Sequence, residues 1–192
     1  MHVEVWLCRN TFVSLLLCTV LGERVCSVDL HNEKIYKTLM TVGDRIPEVL
    51  GIDQEGREIK SSDYRGRKIV LYSYPKANTS GCTAEACSLQ SHKEEIEAAG
   101  YEIIGVSKDK QTLQKKFADT HGLEFPLIAD TETTLLQELG CWGEKVACGR
   151  RTIGILRTTY LVNEEGIIEK IFTPKEIKTK VHAEQILEYI RK

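Results

Sequence analysis

Three apolar runs, "KIVLYSYP", "YEIIGVS" and "FPLIAD", alternate with stretches of helical character, and this order constrains the fold more than any other feature of the chain. Continuous β-branched and aromatic runs suit strands covered on both faces. Strands that alternate with helices pair largely in parallel, because each crossover returns the chain over the sheet. One helical stretch opens at Thr79, carries Ala84, Ala86, Leu89 and Ile96, and closes at Gly100. The next, "KQTLQKKFADTHG", has Leu113 and Phe117 four apart on one face and stops at Gly122. A short helix, "TETTLLQELG", stops at Gly140. In "ILRTTYLVNEEGIIEKIF" two strands flank the turn "NEEG" and are expected to be antiparallel neighbours. "TKVHAEQILEYIRK" spaces Ile186, Leu187 and Ile190 as a closing helix, and "GDRIPEVLGIDQEGREIKSSDYRG" reads as a hairpin around "DQEG". The expectation is an α/β fold with a central mixed sheet and helices on both faces.

A chain of 192 residues supports one sizeable core, expected over residues 40–192. Residues 1–39 differ in character. The apolar run "TFVSLLLCTVLG", Thr11 to Gly22, is too short for a membrane-spanning helix but matches the length of a signal-peptide core. Glu4 beside Arg9, the lack of an Ala-x-Ala-like site, and Leu17 ahead of Cys18 argue against a secretory or lipoprotein signal. Three readings stand: an export signal, an extra helix, or an upstream extension before a natural start at Met40. A cytoplasmic location is favoured, with export the alternative if residues 1–39 act as a signal. The net charge of -2, with both signs mixed along the chain, offers no broad footprint for nucleic acid or an anionic membrane. Seven cysteines without regular spacing point to a reducing compartment or a redox task rather than a disulfide-stapled scaffold.

Two of those cysteines, Cys82 and Cys87, stand five apart in "YSYPKANTSGCTAEACSLQ". The scheme places Cys82 in the first turn of the helix after the central strand. Unpaired amides and the positive end of the helix dipole favour a thiolate there, and ligands of open α/β sheets bind beyond the strand ends. Gly81 lets the backbone pass close to a bound molecule. A small buried residue that happens to carry sulfur is the plainer alternative for either cysteine. On a helix, residues five apart are separated by about 7.5 Å along the axis and about 140° around it. A disulfide needs α-carbons within about 7 Å and side chains that face each other, so the pair can join only if the first turn unwinds. Zinc held by Cys82, Cys87, Cys141 and Cys148 is a poor alternative, because neither pair has the compact spacing of a structural site.

The stretch "YPKANTSGCTAEAC" resembles the peroxiredoxin signature Pro-x-x-x-Thr/Ser-x-x-Cys, here Pro75, Thr79 and Cys82. A second cysteine five residues on resembles the bacterioferritin comigratory protein, or peroxiredoxin Q, subfamily. "VGDRIPEV", "EIIGVSKD", "FPLIAD", "WGEK" and "RTTYLVNEEGIIEKI" extend the likeness from about Met40 to the C-terminus. The resemblance implies a thioredoxin-like fold and reduction of hydrogen peroxide and alkyl hydroperoxides without metal or bound organic cofactor. It implies that Cys82 is the peroxidatic cysteine and Cys87 the resolving one, closing a disulfide that thioredoxin or a similar protein reductant opens. Thr79 would bond thiolate and peroxide, Pro75 would shield the sulfur, and Arg157 in "LRTTYL" would donate to the peroxide. Intramolecular resolution leaves a monomer as the expected state. Ser73 departs from the family's usual aromatic, and Cys141, Cys148 and Trp142 are expected to be packing or anchoring residues. His92 and His121 are expected as polar helix positions. A thioredoxin-type dithiol oxidoreductase and a non-enzymatic redox sensor are the rival functions.

Overall fold

The computed structural model describes residues 40–147 and 150–192; the expectations for residues 1–39, including Cys18, and for Cys148 lie outside them. The opening hairpin pairs β1 (Val49–Ile52) with β2 (Glu58–Lys60), antiparallel. β3 (Lys68–Ser73) follows, then α1 (Ser80–Ser91), α2 (Lys93–Ala98), β4 (Tyr101–Ser107), α3 (Gln111–His121), β5 (Leu127–Ala129) and α4 (Thr134–Glu138). A second hairpin, β6 (Trp142–Ala147) with β7 (Arg150–Ile155), precedes β8 (Thr158–Val162), β9 (Ile168–Phe172) and α5 (His182–Ile190). The main sheet runs β5-β4-β3-β8-β9, parallel on the β5 side of β3 and antiparallel on the β9 side. β3 is therefore the central strand, as its apolar run requires, and it delivers the chain to the loop before Cys82.

The pleat divides the core in two. Val70 and Tyr72 join side chains from α1, α2, α3 and α5, whereas Ile69 and Leu71 join side chains from α4, the first hairpin and the Ser61–Tyr64 turn. Helices thus flank both faces, with Cys82 in the first cluster and Cys141 in the second. Where Tyr72 lies beside Gly105 in the β3–β4 register, the glycine makes room for the ring: a Cβ there would stand 2.9 Å from Tyr72 Cζ and 2.8 Å from Leu127 Cδ2. Gly105→Ala is expected to destabilise the protein by about 1–3 kcal/mol through overpacking, read as a lower urea midpoint with an unchanged slope.

Two sequence expectations need correction. The helix from Thr79 to Gly100 is broken at His92, where φ and ψ of -116° and 15° leave the helical region. Ser91 Oγ and His92 Nδ1 both approach the Ser88 carbonyl, at 2.9 and 3.1 Å, and side chains that compete for helix carbonyls weaken the ladder. Ile155 does not begin the strand of "RTTYLV" but ends β7, opposite Trp142, and Arg157 lies in the short link to β8. Trp142 packs against the second cluster with Lys108 Nζ 5.1 Å from its ring centroid. Among the described residues no helix is long and apolar enough to cross a membrane.

Candidate active site

Thr79 is the N-cap of α1, extended at φ -94° and ψ 148°, and its carbonyl accepts the Thr83 N–H at 2.8 Å. Cys82 is then the third helical residue, with first-turn amides around it that have no intrahelical partner. It is 1% exposed, whereas Cys87 on the same helix is exposed. Both thiols are free, and α1 is helical through both positions. The helical geometry therefore holds them apart in this state.

Arg157 supplies the counter-charge. Its Nη2 donates to Cys82 Sγ at 3.2 Å and its Nη1 to Glu85 Oε2, so one guanidinium bridges two groups of α1. The Arg157 link is held from behind: Ser73 Oγ lies 2.8 Å from the Leu156 carbonyl and accepts the Thr158 N–H at 3.0 Å. The serine that departs from the usual aromatic thus braces both neighbours of the arginine. Glu85 is completely buried, and its Oε1 has no partner among the described residues, as is true of the Tyr72 hydroxyl. Burial pushes the Glu85 carboxyl up to about 7, with the Arg157 charge pulling it down. A Cβ on Gly81 would lie 3.7 Å from Arg157 Nη2, so the glycine keeps the approach beside the guanidinium open.

Pro75 is half-buried in the loop before α1, and Thr79 is exposed, its hydroxyl donating to the Lys76 carbonyl at 2.9 Å rather than to the sulfur. Cys82 and Arg157 are brought together in direct contact; Thr79 and Pro75 border them without a described bond to either. Cys141 is fully buried 3.4 Å from the Tyr160 hydroxyl, and burial pushes its thiol up, which fits an inert packing residue. Sequence reasoning missed Glu85, although its position three residues after Cys82 puts it on the same helical face.

The AhpC/TSA family profile matches residues 42–171. The chain belongs to that family and is a peroxiredoxin. It is 34% identical over 152 residues to Peroxiredoxin Bcp of Escherichia coli strain K12, covering 79% of this chain and 96% of that protein. PrxQ of Xylella fastidiosa superposes with a TM-score of 0.72 at 27% identity, covering 79% of this chain and 96% of its own. The bacterioferritin comigratory protein of Xanthomonas campestris, whose structure bears on alkyl peroxide reduction activity, gives 0.68 at 28% identity over 77% and 98%. The fold of these neighbours is thioredoxin-like, and the peroxiredoxin is a peroxidase of the oxidoreductase class.

Behind α1, His182 opens α5 in full burial, its Nε2 2.8 Å from Thr159 Oγ1 and its ring edge-on to Phe172. The next residue donates its amide to Ser88 Oγ of α1 at 3.2 Å. Burial pushes the imidazole down to about 4, with Gln185 opposing and the Arg157 charge adding to the drop. The unfolded chain takes a proton below about 6.5 that the folded site refuses, so this contribution is fully present above 6.5 and is lost as pH falls to about 4. Glu85 has the opposite sign: it gains a proton on folding between its ordinary 4.5 and about 7, so its penalty grows as pH rises through that window. Relative to His182→Gln, the wild type is expected to lose about 3 kcal/mol between pH 6.5 and 4, at about 1.4 kcal/mol per unit. Urea midpoints of the two proteins against pH check this, since Glu85 contributes equally to both.

Proposed function

We propose that Cys82 is the peroxidatic cysteine and Cys87 the resolving one of a thiol peroxidase for hydrogen peroxide and alkyl hydroperoxides. The observation that carries the reading is the 3.2 Å bond from Arg157 Nη2 to the buried Cys82 Sγ in the first turn of α1. The Cys82 thiolate attacks the proximal oxygen; the S–O bond forms as the O–O bond breaks, and the departing oxygen leaves as water or alcohol once protonated. Arg157 and the first-turn amides meet the negative charge as it moves from sulfur to the leaving oxygen. Thr79 turns its hydroxyl from the Lys76 carbonyl to the peroxide, and Pro75 shields the sulfur from bulk water.

The sulfenic acid on Cys82 then condenses with the Cys87 thiol, releasing water and leaving a disulfide. Because α1 separates the two, its first turns must unwind, which brings the buried sulfur to the surface. A thioredoxin-type dithiol reopens the bond by exchange, oxidised in turn to its own disulfide. Alkyl hydroperoxides are included because the Xanthomonas relative is described by its alkyl peroxide reduction. The chain acts as a monomer, since resolution needs no second copy, and in a cytoplasmic, reducing setting, as cysteines without a regular disulfide spacing suggest.

One equivalent of hydrogen peroxide added to fully reduced protein, followed by thiol alkylation and mass mapping, tests this. A Cys82–Cys87 bond formed within seconds and reversed by thioredoxin is the expected result. Sulfenic acid persisting on Cys82 with Cys87 free removes the resolving role, and an unreacted Cys82 sinks the whole reading.

A further inference from the structure

The end of "EIIGVSKD" takes no part in the chemistry above, yet it reaches the loop ahead of Cys82. Asp109, just after β4, accepts the Ala77 N–H on Oδ2 at 2.7 Å, and the Ser107 hydroxyl donates to the same oxygen at 2.9 Å. Ser107 Oγ in turn accepts Gln114 Nε2 at 2.9 Å and the Asp109 N–H at 3.1 Å. Gln114 also donates to the Ile128 carbonyl at 3.0 Å, while its Oε1 accepts the Tyr74 hydroxyl. Tyr74, Ser107 and Gln114 are completely buried. Each of these bonds has a defined direction, running from the Tyr74 hydroxyl through Gln114 and Ser107 to a single carboxylate oxygen. A buried network with its donors and acceptors matched in this way holds one arrangement.

The output of the network is the position of Ala77. This residue sits in the middle of the loop from Pro75 to Thr79, between β3 and α1, and is 3% exposed. The base of the loop is fixed by Tyr74 N–H on the Val106 carbonyl at 3.1 Å and its end by the first helical bond at Thr79. Between those points, among the described residues, the bond from Ala77 to Asp109 is the loop's one hydrogen bond to another element. Asn78, next in the chain, takes the left-handed conformation at φ 59°, which asparagine tolerates better than most residues with a side chain.

We propose that Asp109 is a positioning residue for peroxide reduction, acting through the Ala77 amide to set the Pro75–Thr79 wall against Cys82. The proposal rests on the reading of Cys82 as the peroxidatic residue. What Asp109 must supply is an acceptor oxygen at the Oδ2 position; both of its contacts fall on that one oxygen, so an asparagine carbonyl can replace it. Losing the tie frees the wall by distances of the order of 1 Å, enough to cost a reaction that depends on a held peroxide about 10- to 100-fold. Alkylation of Cys82 by iodoacetamide needs the thiolate but no peroxide-holding wall.

The test compares wild type, Asp109→Ala and Asp109→Asn by the rate of Cys82 oxidation with hydrogen peroxide and by the rate of Cys82 alkylation with iodoacetamide, both followed on the Cys82 peptide by mass spectrometry. Asp109→Ala is expected to slow oxidation at least about tenfold with alkylation unchanged or faster, and Asp109→Asn to recover oxidation to within about threefold of wild type. Should Asp109→Ala fail to fold, Asp109→Ser, whose shorter hydroxyl cannot reach Ala77, takes its place. Oxidation in the alanine or serine variant at the wild-type rate, an equal fall in both reactions, or an asparagine variant as slow as alanine overturns the proposal alone. A wild-type Cys82 that peroxide leaves untouched removes the peroxidatic assignment, and the proposal with it.

Discussion

Cys82→Ser is expected to abolish peroxide consumption, by about 1000-fold or more, while Cys87→Ser keeps the first oxidation and loses turnover. A serine hydroxyl is a far weaker nucleophile towards peroxide oxygen than a thiol, and on the proposed reading the reactive atom is the sulfur to which Arg157 Nη2 donates. Cys87 is exposed on α1 and, among the described residues, has no hydrogen bond to Cys82 or Arg157, so its removal is expected to leave the attack on peroxide intact. What it removes, on the proposed reading, is the partner that captures the sulfenic acid. Stopped-flow oxidation, dimedone trapping and thioredoxin-coupled turnover separate the steps: Cys87→Ser traps one dimedone per chain and gives a single burst. Steady turnover by Cys87→Ser at the wild-type rate would falsify intramolecular resolution and leave an external thiol in its place.

Arg157→Met is expected to slow peroxide oxidation about 100-fold, the usual loss when a donor to developing negative charge is removed. It also leaves Glu85 buried with neither carboxylate oxygen paired. Breaking a buried ion pair from one side costs about 3–5 kcal/mol when the remaining charge stays ionised. Glu85 can avoid part of that cost by holding a proton, since burial already pushes it up to about 7 and loss of the guanidinium pushes it further. The folded form then binds a proton that the unfolded chain has released above about 4.5, so the penalty grows with pH and is larger at pH 8 than at pH 6. Adding Glu85→Gln removes the titrating group and is expected to restore most of the stability and none of the rate. Urea midpoints at the two pH values, with peroxide rates on the same samples, check both halves. A single variant oxidised within tenfold of wild type removes Arg157 from the chemistry.

The apolar runs and glycine stops were enough to read the strands of the main sheet and helices α1, α3, α4 and α5, though not the break before α2 or the β6–β7 hairpin, because a strand buried on both faces and a helix end each leave a local mark. The same local logic put Cys82 in a first turn and showed that Cys87 could not meet it on an intact helix. Other features left weaker marks. His92 looks like any polar helical residue until Ser88 and Ser91 are seen around it, and the β6–β7 hairpin is paired by contacts such as Trp142 with Ile155 rather than by an apolar alternation. Ser73, which reads as a departure from pattern, proves to be a brace for the arginine link.

Sequence by itself therefore determined the layered α/β order, the helix terminus that carries Cys82 and, through resemblance, the choice of Arg157. Tertiary structure alone decided that Arg157 touches both Cys82 and Glu85, across sequence separations of 75 and 72, and that Asp109 holds Ala77 from 32 residues away. Local propensity is set by neighbours within a turn or two, whereas a charge balance in a buried site depends on which side chains the sheet brings together and on how much water it excludes.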